Sequence, residues 1–205
     1  MDGLGDLSGK HVLVTGATTG IGAHVARALA TGGARLWVHG RDPARTAAAA
    51  AAAGPGAVPV VADFERLRDV RALAARMAEE TDRLDVLVNN AGLIRDRLVI
   101  TEDGVESTFG VNHLAPFVLT LSLLSLLQAS PAARIVTVAS RAHRQSKRFD
   151  VDDLVRPSCY ETLEAYARSK TCNILFTREL ARRLAATPTT ANCVHPGFVA
   201  SRFGR

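Results

Sequence analysis

Six short apolar runs rich in β-branched residues alternate along this chain with longer stretches of helical spacing. That rhythm narrows the possible folds more than any other feature. Residues 10–15, 35–39, 57–61, 84–89, 134–139 and 190–194 read as strands. Helices are expected over 21–30, 65–80, 101–128 (in two pieces) and 163–185, with apolar residues recurring on one face. A further helix is almost pure alanine, the best helix former, with seven in a row at 47–53 before Gly54-Pro55-Gly56 stops it. Strict β-α-β-α order predicts an α/β fold, a parallel sheet with helices on both faces, in one domain spanning 1–205. The strands are mostly continuous apolar runs, as strands buried on both sides require.

Hydrophobic residues make up 47% of the chain and charged ones 22%, enough apolar surface to offset the entropy of ordering it. The longest apolar run, 114–127, is broken by Pro116, Thr120, Ser122 and Ser125, so no membrane span is expected. The first residues lack the basic start and apolar stretch of a secretory signal, which points to a cytoplasmic protein. Cys159, Cys172 and Cys193 are too few and too scattered for a disulfide framework or a zinc site, so no metal is expected. The net charge of +5 suits nucleic acid or a phosphate-bearing cofactor. Outside the cluster Arg141, Arg144, Lys147 and Arg148 the basic residues are dispersed, which argues against a nucleic-acid partner.

The first strand runs into Thr15-Gly16-Ala17-Thr18-Thr19-Gly20-Ile21-Gly22, directly before a helix. Gly16 allows a tight turn, Gly20 a close approach of backbone to a pyrophosphate, and Gly22 close packing of helix on sheet. The exposed N–H groups and the positive helix end favour phosphate there. An ordinary glycine turn is the alternative. With this loop the architecture becomes a Rossmann-type doubly wound sheet in three layers. The second strand ends in His39-Gly40-Arg41-Asp42, where NAD-binding folds place an acid for the ribose 2′-OH. Gly40 offers no such acid, and Arg41 offers a planar fork to a 2′-phosphate. NADP(H) is therefore expected over NAD(H). Asp42 is either a ribose acid or a helix cap, and Pro43 behind it favours the cap.

Tyr166 and Lys170 stand one helical turn apart on one face. A phenol titrates near pH ~10, and acid–base work at neutral pH needs ~4 kcal/mol of help. An ammonium at ~4 Å in an effective dielectric of ~20 supplies about that much. Burial of the phenol opposes it, so a second helper is expected. An exposed surface pair is the alternative. Ser140 ends the fifth strand on the side where open α/β sheets bind ligands, either to hold a substrate oxygen or as a plain loop serine. Asn112 begins an apolar helix, as an N-cap, a catalytic neighbour, or both.

Together the glycine loop, Asp63, Asn89-Asn90-Ala91-Gly92, Asn112, Ser140, Tyr166-x-x-x-Lys170 and Pro196-Gly197 resemble the short-chain dehydrogenase/reductase family over essentially the whole chain. The stretches 138–143 and 166–184, and the long gap from Ser140 to Tyr166, are most similar to its retinol-dehydrogenase-like and WW-domain-oxidoreductase-like members. The resemblance implies that Tyr166 gives or takes the proton, Lys170 lowers its pKa and holds the nicotinamide ribose, and Ser140 positions the substrate oxygen. It implies that Asn112 holds a water linking Lys170 to solvent. Asp63, with Phe64 beside it, meets the adenine. Asn89, Ala91 and Gly92 lie along the adenine ribose, Thr18, Thr19 and Ile21 belong to the phosphate loop, and Pro196, Gly197, Val199 and Ser201 meet the nicotinamide end. A small carbonyl or alcohol substrate, hydride transfer and a homodimer are the implied chemistry and assembly. A redox-inactive NADP(H)-binding or regulatory protein is the alternative, and the intact quartet Asn112, Ser140, Tyr166 and Lys170 argues against it. Family members continue beyond the length seen here, so a seventh strand and a substrate cover are expected to be missing from these 205 residues.

Overall fold

The computed structural model describes residues 5–146 and 149–197. Its strands are β1 (His11–Val14), β2 (Arg35–Gly40), β3 (Val58–Val61), β4 (Val86–Asn89), β5 (Arg134–Val138) and β6 (Thr190–Val194). The α-helices are α1 (Gly20–Thr31), α2 (Pro43–Ala53), α3 (Leu67–Glu80), α4 (Ser107–Phe109), α5 (Ala115–Ser122), α6 (Leu124–Ala129), α7 (Asp152–Val155) and α8 (Thr162–Arg183). A π turn, Gly110–Leu114, joins α4 to α5, and a 3-10 turn, Arg141–Gln145, follows β5.

The strands form one parallel sheet in the order β3-β2-β1-β4-β5-β6. Side-chain alternation divides the core between its two faces. Val12, Val14, Leu36, Val38 and Val88 pack with Ala26 and Leu29 of α1 and Ala50 and Ala53 of α2. Leu13, Trp37, Leu87, Ile135 and Ala191 pack with Leu73 and Met77 of α3, Leu119 of α5 and Leu180 of α8. The result is the three-layer doubly wound architecture expected. The alanine run works because α2 presents only methyl groups to the sheet and can lie close to it. Over β5 and β6 the first face is thinner: Val136 and Val138 are half-buried and Val194 is 44% exposed.

Two helix boundaries differ from expectation, each for a local reason. Helix α3 starts at Leu67, not at residue 65, because the Asp63 carboxylate accepts the Glu65 amide at 3.0 Å and closes a turn there. The Leu67 amide then donates to the Asp103 carboxylate at 2.8 Å. The stretch 101–128 does not become helical until Ser107. Glu106, only 2% exposed, accepts the Thr108 and Phe109 amides at 2.6 and 2.7 Å and caps α4. The cap is thus Glu106, not Asn112, and the helix breaks again at Leu123.

Chain order reverses direction between β1 and β4. In open α/β sheets this switch point opens a crevice beyond the strand carboxyl ends. Here it holds a cleft of about 580 Å³.

Candidate active site

The floor of the cleft is built by Thr15. Its hydroxyl donates to the Val88 carbonyl at 3.1 Å and accepts the Asn90 and Ala91 amides at 3.0 and 3.1 Å. Asn90 returns the tie, its amide nitrogen donating to the Thr15 and Gly16 carbonyls. The turn after β1 and the turn after β4 are therefore one unit. Gly16 has a positive φ of 62°, and a Cβ there would lie 2.6 Å from Ala91 Cα. A Cβ on Gly22 would lie 2.5 Å from both the Gly16 carbonyl and Asn90. These glycines keep a backbone cradle at the start of α1 that a side chain would fill, and the cradle fits a dinucleotide phosphate.

His39 supports the cradle from below. The Gly16 amide can only donate, so His39 Nδ1 accepts it, at 3.2 Å, and the ring proton sits on Nε2, facing the Ala62 carbonyl at 3.1 Å. The ring stacks on Phe64, with centroids 4.3 Å apart. Burial pushes its pKa down to about 4, so it is neutral.

Gly16, Thr18, Thr19, Gly20, Ile21, Gly22, Arg41, Asp63, Phe64, Ala91 and Gly92 all line the cleft, as expected. So does Arg45, which the sequence reading missed. Its spacing from Arg41, four residues across the start of α2, was the available signal. Asp42 is the cap of α2, its Oδ1 accepting the Arg45 amide at 2.8 Å, and it too lines the cleft. A Cβ on Gly40 would meet Thr18 and Thr46 at 2.4 Å, so no larger residue, acid included, fits that corner without a shift.

Asn89 is a correction. Its side chain is 3% exposed and lies outside the cleft, donating to the Thr120 hydroxyl at 2.9 Å. It shares its face with Leu87, toward α5, while Asn90 lines the cleft. Asn112 is a second. Its side chain holds the main chain of Leu93, accepting the amide at 2.7 Å and donating to the carbonyl at 2.9 Å, and it also donates to Ser169. It lies behind the cleft wall, with its own carbonyl accepting Asn173 Nδ2 at 3.0 Å. Pro196 and Gly197 line the cleft, whereas Val199 and Ser201 lie outside the described residues.

At the carboxyl ends of β5 and β6, Ser140, Tyr166 and Lys170 come together. Ser140 caps the 3-10 turn, accepting the Ala142 amide at 3.2 Å, and its side chain stands toward Tyr166, where it acts to lower the phenol's pKa. It is cap and site residue at once. Lys170 is 3% exposed and donates to the Val138 carbonyl at 2.9 Å. Its Nζ lies 5.6 Å from the centre of the Tyr166 ring. Burial raises the Tyr166 pKa while the Ser140 hydrogen bond lowers it, and burial brings Lys170 down to about 8. Burial outweighs Ser140, so the phenol's pKa stands above its ordinary value, and the further help expected, such as the positive charge of an oxidised nicotinamide, is not supplied by these side chains. Lys170 is held at the Val138 carbonyl, on the Tyr166 side of α8.

With phosphate cradle, basic corner and Ser-Tyr-Lys group on one cleft, the comparisons fall into place. The short chain dehydrogenase family model matches residues 10–205. The chain belongs to that family. Human retinol dehydrogenase 14 is 44% identical over 219 residues, covering 98% of this chain and 65% of that protein. Mouse retinol dehydrogenase 12 is 43% identical, covering 97% of this chain and 64% of its own length. The chain thus spans slightly less than two thirds of these relatives. Among solved structures, an uncharacterized protein from Mycobacterium paratuberculosis superposes with a TM-score of 0.85 at 39% identity, covering 95% of this chain and 70% of that one. A short chain dehydrogenase from Burkholderia cenocepacia in complex with NADP does so at 0.79 and 32%, covering 97% and 78%.

Proposed function

We propose that this protein is an NADP(H)-dependent oxidoreductase interconverting a carbonyl and an alcohol, with a lipophilic aldehyde, ketone or alcohol as substrate. The observation that carries the reading is that Ser140, Tyr166 and Lys170 line one end of a cleft whose other end is a glycine cradle. A nicotinamide bound here would supply or take up the hydride. Tyr166 gives its proton to the carbonyl oxygen in reduction and takes it from the alcohol in oxidation. Ser140 holds that oxygen by its hydroxyl. Lys170, a buried amine on a carbonyl tether, is placed to donate to ribose hydroxyls and to carry positive charge below the phenol.

The preference for NADP(H) rests on Arg41 and Arg45 flanking the Gly40 corner. Two guanidiniums there favour a 2′-phosphate, and one oxygen of Asp42 is taken by its cap. Arg41 forms no ion pair among the described residues, so its fork is open to a ligand. The lipophilic substrate class is supported by the retinol dehydrogenases among the relatives and by Leu93 and Ile94 on the cleft wall. Pairing of two copies through α5 and α8 is part of the reading, on the strength of Leu121 and Leu175, 43% and 46% exposed. No helix among the described residues is long and apolar enough to cross a membrane.

The test is calorimetric titration with NADPH and NADH, beside the absorbance of reduced nicotinamide during incubation with a panel of aldehydes and ketones that includes retinal. Tighter NADPH binding and consumption with a lipophilic carbonyl are expected. Equal affinity for the two nucleotides would remove the specificity assignment, and no turnover across the panel would remove the enzymatic one.

A further inference from the structure

Arg168 is a buried cation that the chemistry above does not use. It lies on α8 two residues from both Tyr166 and Lys170, so its side chain leaves the helix on another side, and it is 9% exposed. Its Nη1 donates to Asp153 on α7 at 2.8 Å, and its Nε donates to Glu164, one turn back on α8, at 3.0 Å. The same Glu164 oxygen accepts the Ser146 hydroxyl at 3.2 Å. Ser146 directly follows the 3-10 turn that Ser140 caps. Asp153 is itself pinned by the Ser158 amide at 2.8 Å, and that amide together with Arg168 holds its carboxyl at about 2.

These bonds meet at the start of α8, where the Thr162 hydroxyl also donates to the Asp96 carbonyl at 3.2 Å. Its N-cap, Glu161, makes no side-chain cap hydrogen bond, and Tyr166 follows in the second turn. Ser140 and Tyr166 lie on separate segments, and a reach that suits proton transfer depends on how those segments are joined. One join runs from Ser140 through its turn to Ser146, then to Glu164, then to Arg168, with Asp153 holding the far side, and a second runs from the His143 carbonyl to the Thr171 hydroxyl at 3.4 Å.

We propose that Arg168 is a positioning residue that sets the distance between Ser140 and Tyr166 by clamping Glu164 and Asp153. It rests on the catalytic reading above and adds a requirement to it. A charge buried with two carboxylates is costly to break by removing one partner, so the clamp has one stable arrangement. Small misplacements of a reacting group carry large rate penalties.

The experiment compares the chain with Arg168→Met, which keeps the length of the stem, and with Arg168→Lys, which keeps the charge. Three quantities are read: kcat against KM for NADPH-dependent reduction, the Kd for NADPH, and the ultraviolet titration of Tyr166. With two tyrosines in the chain, Tyr166 is isolated by subtracting the matching Tyr166→Phe protein in each background. The other ionisable groups near Tyr166 along the cleft, Lys170 on α8, Arg95 after β4 and His195 after β6, are the same in all of them. Arg168→Met is expected to lower kcat by about 10- to 100-fold with Kd for NADPH within about twofold. Its Tyr166 titration should move to higher pH as the Ser140 bond is lost, and Arg168→Lys should recover part of both. A folded Arg168→Met protein with an unmoved Tyr166 titration overturns the proposal. This arm needs no substrate, so it decides the matter even if turnover were absent and the catalytic reading fell. Should Arg168→Met fail to fold, Glu164→Gln, close in size and with one accepting oxygen, takes its place. A Tyr166 titration moved to higher pH in that protein supports the clamp, and an unmoved one overturns it.

Discussion

His39 makes a quantitative test of how the cleft is held. In the unfolded chain an imidazole titrates near 6.5, and in the folded protein burial takes it to about 4. Between those values the unfolded state binds the proton and the folded state does not. Stability is therefore complete above pH 6.5, falls as the pH drops toward 4, and levels off below it. At about 1.36 kcal/mol per pH unit, that interval amounts to about 3 kcal/mol, a large part of the stability of an ordinary domain. The structural cause is specific: protonated Nδ1 cannot accept the Gly16 amide, and a second proton would face that N–H at close range. The assay is urea denaturation at intervals from pH 7 to pH 4, for the chain and for His39→Gln. The variant loses the stack on Phe64 and starts lower, but its slope is the readout. It should lose about 3 kcal/mol less than the parent across the window. His113, also lowered by burial, and the carboxylates contribute equally to both proteins and cancel in the comparison. Parallel curves would refute the linkage and with it the neutral, Nε2-protonated state of His39.

Arg41→Ala and Arg45→Ala should each weaken NADPH by roughly 1.5–3 kcal/mol and leave NADH nearly unchanged, read by calorimetry. Tyr166→Phe should retain NADPH binding while turnover falls by at least ~10²–10⁴, and a protein that keeps most of its activity refutes the proton assignment. Gly22→Ala, whose Cβ meets the Gly16 carbonyl and Asn90 at 2.5 Å, should lose nucleotide affinity and melt lower, because main chain must shift to admit it. Asp85, 3% exposed, accepts the His11 amide and the Ser130 hydroxyl, both at 2.8 Å. Asp85→Ala should cost about 1.5–3 kcal/mol in urea denaturation at neutral pH, without changing nucleotide specificity.

The strands were legible because each is buried on both faces, and unbroken apolar character is the signature of that burial. The glycine cradle and the Tyr166–Lys170 pair were legible because each is local: a turn and one helical repeat. What escaped was whatever depends on which side of an element a residue lands. Asn89 and Asn90 are neighbours of one type, and strand alternation sends one toward α5 and the other into the cleft. Leu87, two residues before Asn89, held the clue. Asn112 sits in a π turn, which has no compositional signal, so neither its distance from a cap position nor its grip on Leu93 could be read. Arg168 pairs with Asp153 from 15 residues upstream, a separation with no periodicity to announce it. His39 looked like one more residue of a strand, and only the fold sets it beneath Gly16 and beside Phe64.

Thr15 spends its single proton on one carbonyl and its oxygen lone pairs on two amides, so the hydroxyl has no capacity left over. The turns it joins are consequently set when the chain folds, not when a nucleotide arrives. Ordering a flexible loop on binding subtracts from affinity, and a site already ordered avoids that loss. Nucleotide binding at this end of the cleft should then show little conformational entropy penalty, and Thr15→Val, nearly the same in shape, should expose the difference as a less favourable binding entropy before any contact to the nucleotide is touched.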